Sequence, residues 1–134
     1  MKKLNFEQKL IDWYEKNKGR KIKWGAFDCA LSVLEALEIV YGEKITPPDL
    51  WSNKKEAVKV YNSLFSPVQS FIDAGFEIVK YPCTGDVVVL KTLPMNTVCI
   101  VINNYYTVID GKEGLQLRKL DTGNYTILRR KKVI

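Results

Sequence analysis

The sequence predicts an α+β domain, with helices from its first half packed on an antiparallel sheet of about five or six strands from its second. Three observations predict this. Apolar residues recur with a helical period up to Gly75 and with a strand-like period after it. Clusters of Gly, Asn, Asp and Pro separate most of the β-rich runs that follow. Those connections are short enough to demand antiparallel neighbours. Helices first and strands afterwards is the order of an α+β fold. The chain has 134 residues, and no internal repeat, low-complexity stretch or linker divides it, so residues 1–134 read as one domain.

The first helix is expected to follow Asn5. Phe6, Leu10, Trp13 and Tyr14 share one helical face, Asn5 with Gln8 has the form of a capping box, and Gly19 is a natural stop. A second helix should run from Cys29 to Tyr41, capped by Asp28 and ended by Gly42. Its broad apolar face is built from Ala30, Leu31, Val33, Leu34, Leu37 and Val40. After Pro47-Pro48, Asn53 and Glu56 open a short helix through Val58 and Tyr61. Ser66-Pro67-Val68-Gln69 opens another, spanning 67–74 and stopped by Gly75. Six strands are then expected as a meander, at 76–80, 86–91, 97–103, 105–109, 115–120 and 125–130. Most are rich in β-branched or aromatic residues.

Composition excludes several classes of function. Hydrophobic residues are 46% and charged residues 27%, which places the chain among globular proteins rather than disordered ones. No apolar stretch approaches the roughly 20 residues that span a bilayer, and the start lacks the apolar core of a secretory signal. A protein made and folded in a cytoplasm, with no membrane insertion, is expected. Cys29, Cys83 and Cys99 are odd in number and widely spaced, so a disulfide framework is not expected. Without histidine, three cysteines cannot complete a zinc site, and no metal or other cofactor is expected. The formal charge is +6, with lysine and arginine concentrated at 16–23 and 129–132. Without aromatic residues interleaved among them, these runs read as solvated faces rather than a nucleic-acid site. Trp13, Trp24 and Trp51 read as packing residues, and Tyr105 and Tyr106 should point to opposite sides of a strand.

The stretch Trp24-Gly25-Ala26-Phe27-Asp28-Cys29-Ala30 carries the most chemistry. Cys29 would occupy the first turn of a helix, where unpaired N–H groups and the macrodipole favour an anion. A cysteine so placed can be acidified, and Lys21 and Lys23 would act in the same direction. The other reading is a small apolar side chain packed under the sheet.

Asp28-Cys29 at a helix start, with Thr84-Gly85-Asp86-Val87-Val88-Val89-Leu90 later, resembles the NlpC-type papain-like cysteine peptidases. The nearer likeness is to small NlpC-like proteins encoded beside bacteriophage tail genes, over about residues 20 to 130. Their Trp-Gly-x-Phe-Asp-Cys block is matched, as is Gly-Asp-Val-Val-x-Leu. Gly114-Leu115 and the basic strand at 125–132 fill the last two places. The resemblance implies a cysteine helix packed on an antiparallel sheet, and an ancestral activity on peptidoglycan stem peptides. It also implies a catalytic histidine at the start of the strand after the Gly-Asp strand. That segment here is Thr97-Val98-Cys99-Ile100-Val101-Ile102-Asn103, so Thr97 stands where the histidine would be, with Asn96 beside it. Thr107 and Asp110 are nearest to the position of the third polar residue.

Neither Thr97 nor Asn96 takes up a proton near neutral pH. Amide cleavage needs a proton delivered to the leaving amine, and an imidazolium delivers it in papain-like sites. Losing the histidine from a related triad costs roughly 10⁶-fold in turnover. Asp28, as a helix cap, is a poor replacement because its hydrogen bonds favour the ionised form. Glu35 falls on another side of the helix, six residues beyond Cys29. The resemblance and the departure together imply a papain-like domain without its base, serving as a structural or assembly component of a phage tail. Its place would be the virion, assembled in the bacterial cytoplasm. Its partners would be other tail proteins, with cell-wall peptidoglycan as a further contact. The alternatives are a working cysteine peptidase or amidase with a base supplied otherwise, and a small basic nucleic-acid-binding module.

Overall fold

The computed structural model describes residues 2–23, 27–44, 67–90, 97–120 and 125–131. Helix α1 (Phe6–Asn17) buries Leu10, Trp13 and Tyr14 along the face its periodicity marks. Its start differs from expectation. Asn5 is left-handed (φ 60°) and its side chain does not cap, while Gln8 donates to Asp12 at 2.9 Å instead of reaching back. A capping residue must be extended to aim its oxygen at the first turn. Here a tight turn precedes the helix, the Phe6 N–H donating to the Lys3 carbonyl at 3.2 Å.

Helix α2 (Cys29–Tyr41) has the expected bounds. Asp28 is extended and accepts from the Leu31 N–H at 3.0 Å; Gly42 (φ 72°) ends the helix, its N–H donating to the Glu38 carbonyl. Val33, Ala36, Leu37 and Val40 are buried beneath it. Helix α3 (Pro67–Asp73) sets Phe71 edge-on against Phe76, ring centres 5.1 Å apart. The helix expected around Asn53 to Tyr61 lies outside the described residues, as do Trp24, Trp51, Ser66 and Asn96. No helix among the described residues is long and apolar enough to cross a membrane.

Among the described residues, six strands form one antiparallel sheet: β1 (Phe76–Val79), β2 (Val87–Leu90), β3 (Thr97–Ile102), β4 (Tyr105–Asp110), β5 (Gly114–Lys119) and β6 (Tyr125–Arg130). The α+β class and strand number are as expected. The path is not a simple meander, because the order is β1-β6-β2-β3-β4-β5. The last strand returns to lie between β1 and β2, pairing Leu128 with both Ile78 and Val87.

The pleat sorts the sheet's side chains into two clusters. Val87, Val89, Val98, Ile100, Ile102, Leu115 and Leu128 join the helices in the main core. Val88, Cys99, Val101 and Ile127 form a smaller cluster on the other face, with Tyr106 and Val108 against it. Tyr106 is half-buried there and Tyr105 is exposed, on opposite sides as alternation requires.

Candidate functional site

Cys29 enters the site because Asp28 stops the preceding backbone and starts α2. Lys23 and Phe27 exchange backbone hydrogen bonds of 2.7 and 2.8 Å, turning the chain just before the cap. The Asp28 carboxylate is buried and bonded to the first turn, which leaves Cys29 half-buried as the first helical residue. The Ser32 hydroxyl donates to the Cys29 carbonyl at 2.9 Å, tightening the same turn.

Helix α2 packs on β3. Thr97, the residue in the histidine position, opens that strand opposite Leu90 of β2. Alternation places Thr97 on the pleat face of Cys99 and Val101, two and four residues along. Cys99 is fully buried and free, and burial pushes its thiol well above the ordinary range. A negative charge on Cys29 acts in the same direction and Arg118 opposes it, so Cys29 lies close enough to weigh on Cys99 electrostatically. Helix α2 shares the main core with the opposite pleat face of β3, that of Val98, Ile100 and Ile102. Cys83 is exposed on the turn before β2.

The two candidates for a third polar residue are both occupied. Thr107 is buried and its hydroxyl oxygen accepts from the Ile100 N–H at 3.1 Å. It replaces a ladder bond where β3 and β4, paired only at Val101–Tyr106 and Ile102–Tyr105, diverge. Asp110 accepts from the Lys112 and Glu113 N–H groups at 2.7 and 3.0 Å, and these hold its carboxyl below the usual range. Arg118 lies 3.6 Å away. Glu35 is drawn to α1, accepting from the Trp13 indole at 3.0 Å and pairing with Arg20 at 3.6 Å.

Asp86 of the Gly-Asp pair is heavily engaged, but at the far end of α2 from Cys29: a Cβ on the neighbouring Gly85 would meet Val40, and Asp86 acts electrostatically on Tyr41. It is fully buried, and the Arg129 guanidinium meets it with two bonds of 2.9 and 2.7 Å. The Cys83 N–H and the Lys2 ammonium complete its partners at 2.7 and 3.3 Å. This hydrogen bonding raises the Arg129 pKa above its already high value. The basic run is thus not wholly solvated as expected. Arg129 is clamped, and Arg130 pairs with Glu43 while its guanidinium lies 5.5 Å over the Tyr41 ring. Sequence reasoning missed the roles of Arg129 and Lys2, which stand 43 and 84 residues from Asp86. No local pattern marks a partner at such separations.

Chemically, the region offers a thiol at a helix start and a threonine hydroxyl, in a chain with no histidine. The carboxylates of Asp28, Glu35, Asp86 and Asp110 are each committed to backbone N–H groups or to basic or indole partners. Such groups can hold a polar ligand or a partner. They are poorly disposed to carry a proton to a leaving amine. A family model described as a domain of unknown function (DUF6950) matches residues 1–125 of the chain. No curated protein matches it.

Proposed function

Since the chain belongs to the DUF6950 family, a domain of unknown function, we propose from the site itself that it is a papain-like domain of NlpC type that has lost its base and serves as a structural or assembly component of a bacteriophage tail. In this reading Cys29 is the vestigial nucleophile, Asp28 its helix cap, and Thr97 the occupant of the histidine position. Its partners are other tail proteins, and its place is the virion tail, assembled in the bacterial cytoplasm. Contact with peptidoglycan would be binding rather than cleavage.

One observation carries the loss of catalysis. The chain has no histidine, and β3 opens with a threonine on the pleat face opposite the one that joins the helices. The carboxylates nearest Cys29 along the cysteine helix are engaged, Asp28 by the Leu31 N–H and Glu35 by the Trp13 indole. The tail assignment is supported by the resemblance of the Trp24–Ala30 and Thr84–Leu90 blocks to tail-associated NlpC-like proteins.

Two measurements test the proposal. Purified protein incubated with cell-wall material should release no new free amines; release that disappears in Cys29→Ala would make the chain an enzyme and overturn the first part. Purified virions analysed by mass spectrometry should contain the protein, and deletion of its gene should give defective tails. Virions that lack it, with normal tails after deletion, would overturn the second.

A further inference from the structure

The two basic runs of the chain are treated differently. In one, Arg129 pairs with Asp86 and Arg130 with Glu43. The other, at 15–23, has five basic side chains and one acidic, Glu15, and so carries four of the chain's six net charges. Among the described residues, Lys16, Lys18, Lys21 and Lys23 are exposed and none of them forms an ion pair. Lys112, on the β4–β5 hairpin, is exposed and unpaired in the same way. A Cβ on Gly19 would sit 3.8 Å from the carbonyl oxygen of its neighbour Glu113, so the hairpin adds a fifth lysine to this surface. The nearby carboxylates are taken. Glu35 serves Trp13 and Arg20, Asp110 the N–H groups of its own turn, and Glu113 the Gln116 amide at 2.7 Å.

These lysines stand on backbone that is held in place. The Gly19 N–H donates to the Leu115 carbonyl and the Leu115 N–H to the Arg20 carbonyl, both at 2.9 Å. Lys23 and Phe27 exchange two more bonds at the other end of the run. Ile22 is half-buried between Lys21 and Lys23, which therefore face solvent together. One cation in the last turn is enough to offset the carbonyl end of α1. Five in this space repel one another and work against folding. An anionic partner would turn that repulsion into attraction.

We propose that this surface binds the phosphate backbone of duplex nucleic acid without reading its sequence. The residue types choose the partner. The unpaired cations are all lysines, point charges on flexible stems that meet phosphates without a fixed geometry. Lysine is depleted from the cores of protein interfaces. Arg20, the arginine of the run, lies 3.9 Å over the Phe27 ring and donates to Asn17 at 3.2 Å, so it offers no fork to a base edge. The rings of Trp13, Tyr14 and Phe27 are buried and give single-stranded bases no platform. The aromatic residues missing from this run are needed for stacking on bases, not for contact with phosphates. The proposal does not depend on the reading given to Cys29.

Fluorescence anisotropy of the full chain with labelled duplex DNA of two unrelated sequences tests this. Dissociation constants of about 1–100 µM are expected at physiological salt, equal for both sequences. The logarithm of the binding constant should fall against the logarithm of salt with a slope of about −4. Lys18→Glu, Lys21→Glu and Lys23→Glu together should weaken binding at least about tenfold at low salt, with an unchanged circular dichroism spectrum. Lys44→Glu, Lys80→Glu and Lys131→Glu together change the net charge equally at other exposed positions and should weaken it far less. Absence of binding at low salt, or equal losses in the two triple variants, would overturn the proposal. So would a poly-glutamate chain that binds as tightly as the duplex, because it would assign the surface to an acidic protein.

Discussion

Two adjacent arginines, Arg129 and Arg130, occupy very different electrostatic surroundings. Arg129 meets the buried carboxylate of Asp86 through two parallel bonds, whereas Arg130 pairs with Glu43, which is about half exposed. Removing one partner of a buried pair strands the other, at a cost of about 3–5 kcal/mol; exposed pairs contribute about 0–1 kcal/mol. Urea unfolding should therefore show Asp86→Ala and Arg129→Met near the larger loss and Arg130→Met near the smaller. Tyr41 supplies a second test. Burial raises its pKa above the ordinary value, the Arg130 N–H donating to its oxygen at 3.3 Å being the main opposing effect. Folding then favours the protonated phenol. The associated stability is complete below about pH 10 and is lost as pH rises through the folded-state pKa. Stability of the native chain should fall above pH 10 more steeply than that of Tyr41→Phe. At this scale, Asp28 was legible because its partner, Leu31, is three residues away. Asn5 misled because a capping box in sequence does not reveal the turn that rotates the residue into a left-handed conformation.

Helix bounds and strand positions follow from local signals, and Gly114 shows where local reading stops. It has φ 75°, and a Cβ there would sit 2.3 Å from the Gly19 carbonyl oxygen. The glycine lets the backbone after α1 approach β5 closely enough for Gly19 and Arg20 to exchange two hydrogen bonds with Leu115. Gly111 sits in the same hairpin, where a Cβ would meet nothing within 4 Å and the backbone is not left-handed. Gly114→Ala should cost about 2–4 kcal/mol through backbone strain and overpacking. Gly111→Ala should lie within about 0.5 kcal/mol of the native chain. Equal thermal denaturation midpoints for the two would contradict the close approach.

The order of the whole sheet puts the last strand near its middle. β6 pairs on both sides, with β1 and β2, and Arg129 on it reaches the turn that leads into β2. A chain ending at residue 120 would leave β1 without a partner and Asp86 without its guanidinium. It should show no cooperative unfolding transition, while a chain ending at 131 should keep one.

By itself the sequence determined the α+β class, α1 and α2 with their stops, the six strands, and a cysteine at a helix start with no histidine to serve it. These depend on side-chain periodicity and on contacts within four or five residues, which a linear text records directly. Only the tertiary structure decided that β6 would separate β1 from β2, that Asp86 would gather Arg129 and Lys2, and that Cys29 would weigh on Cys99. Those pairings join residues tens of positions apart, and they are selected by which buried groups can satisfy one another once the sheet and helices have closed on a shared core.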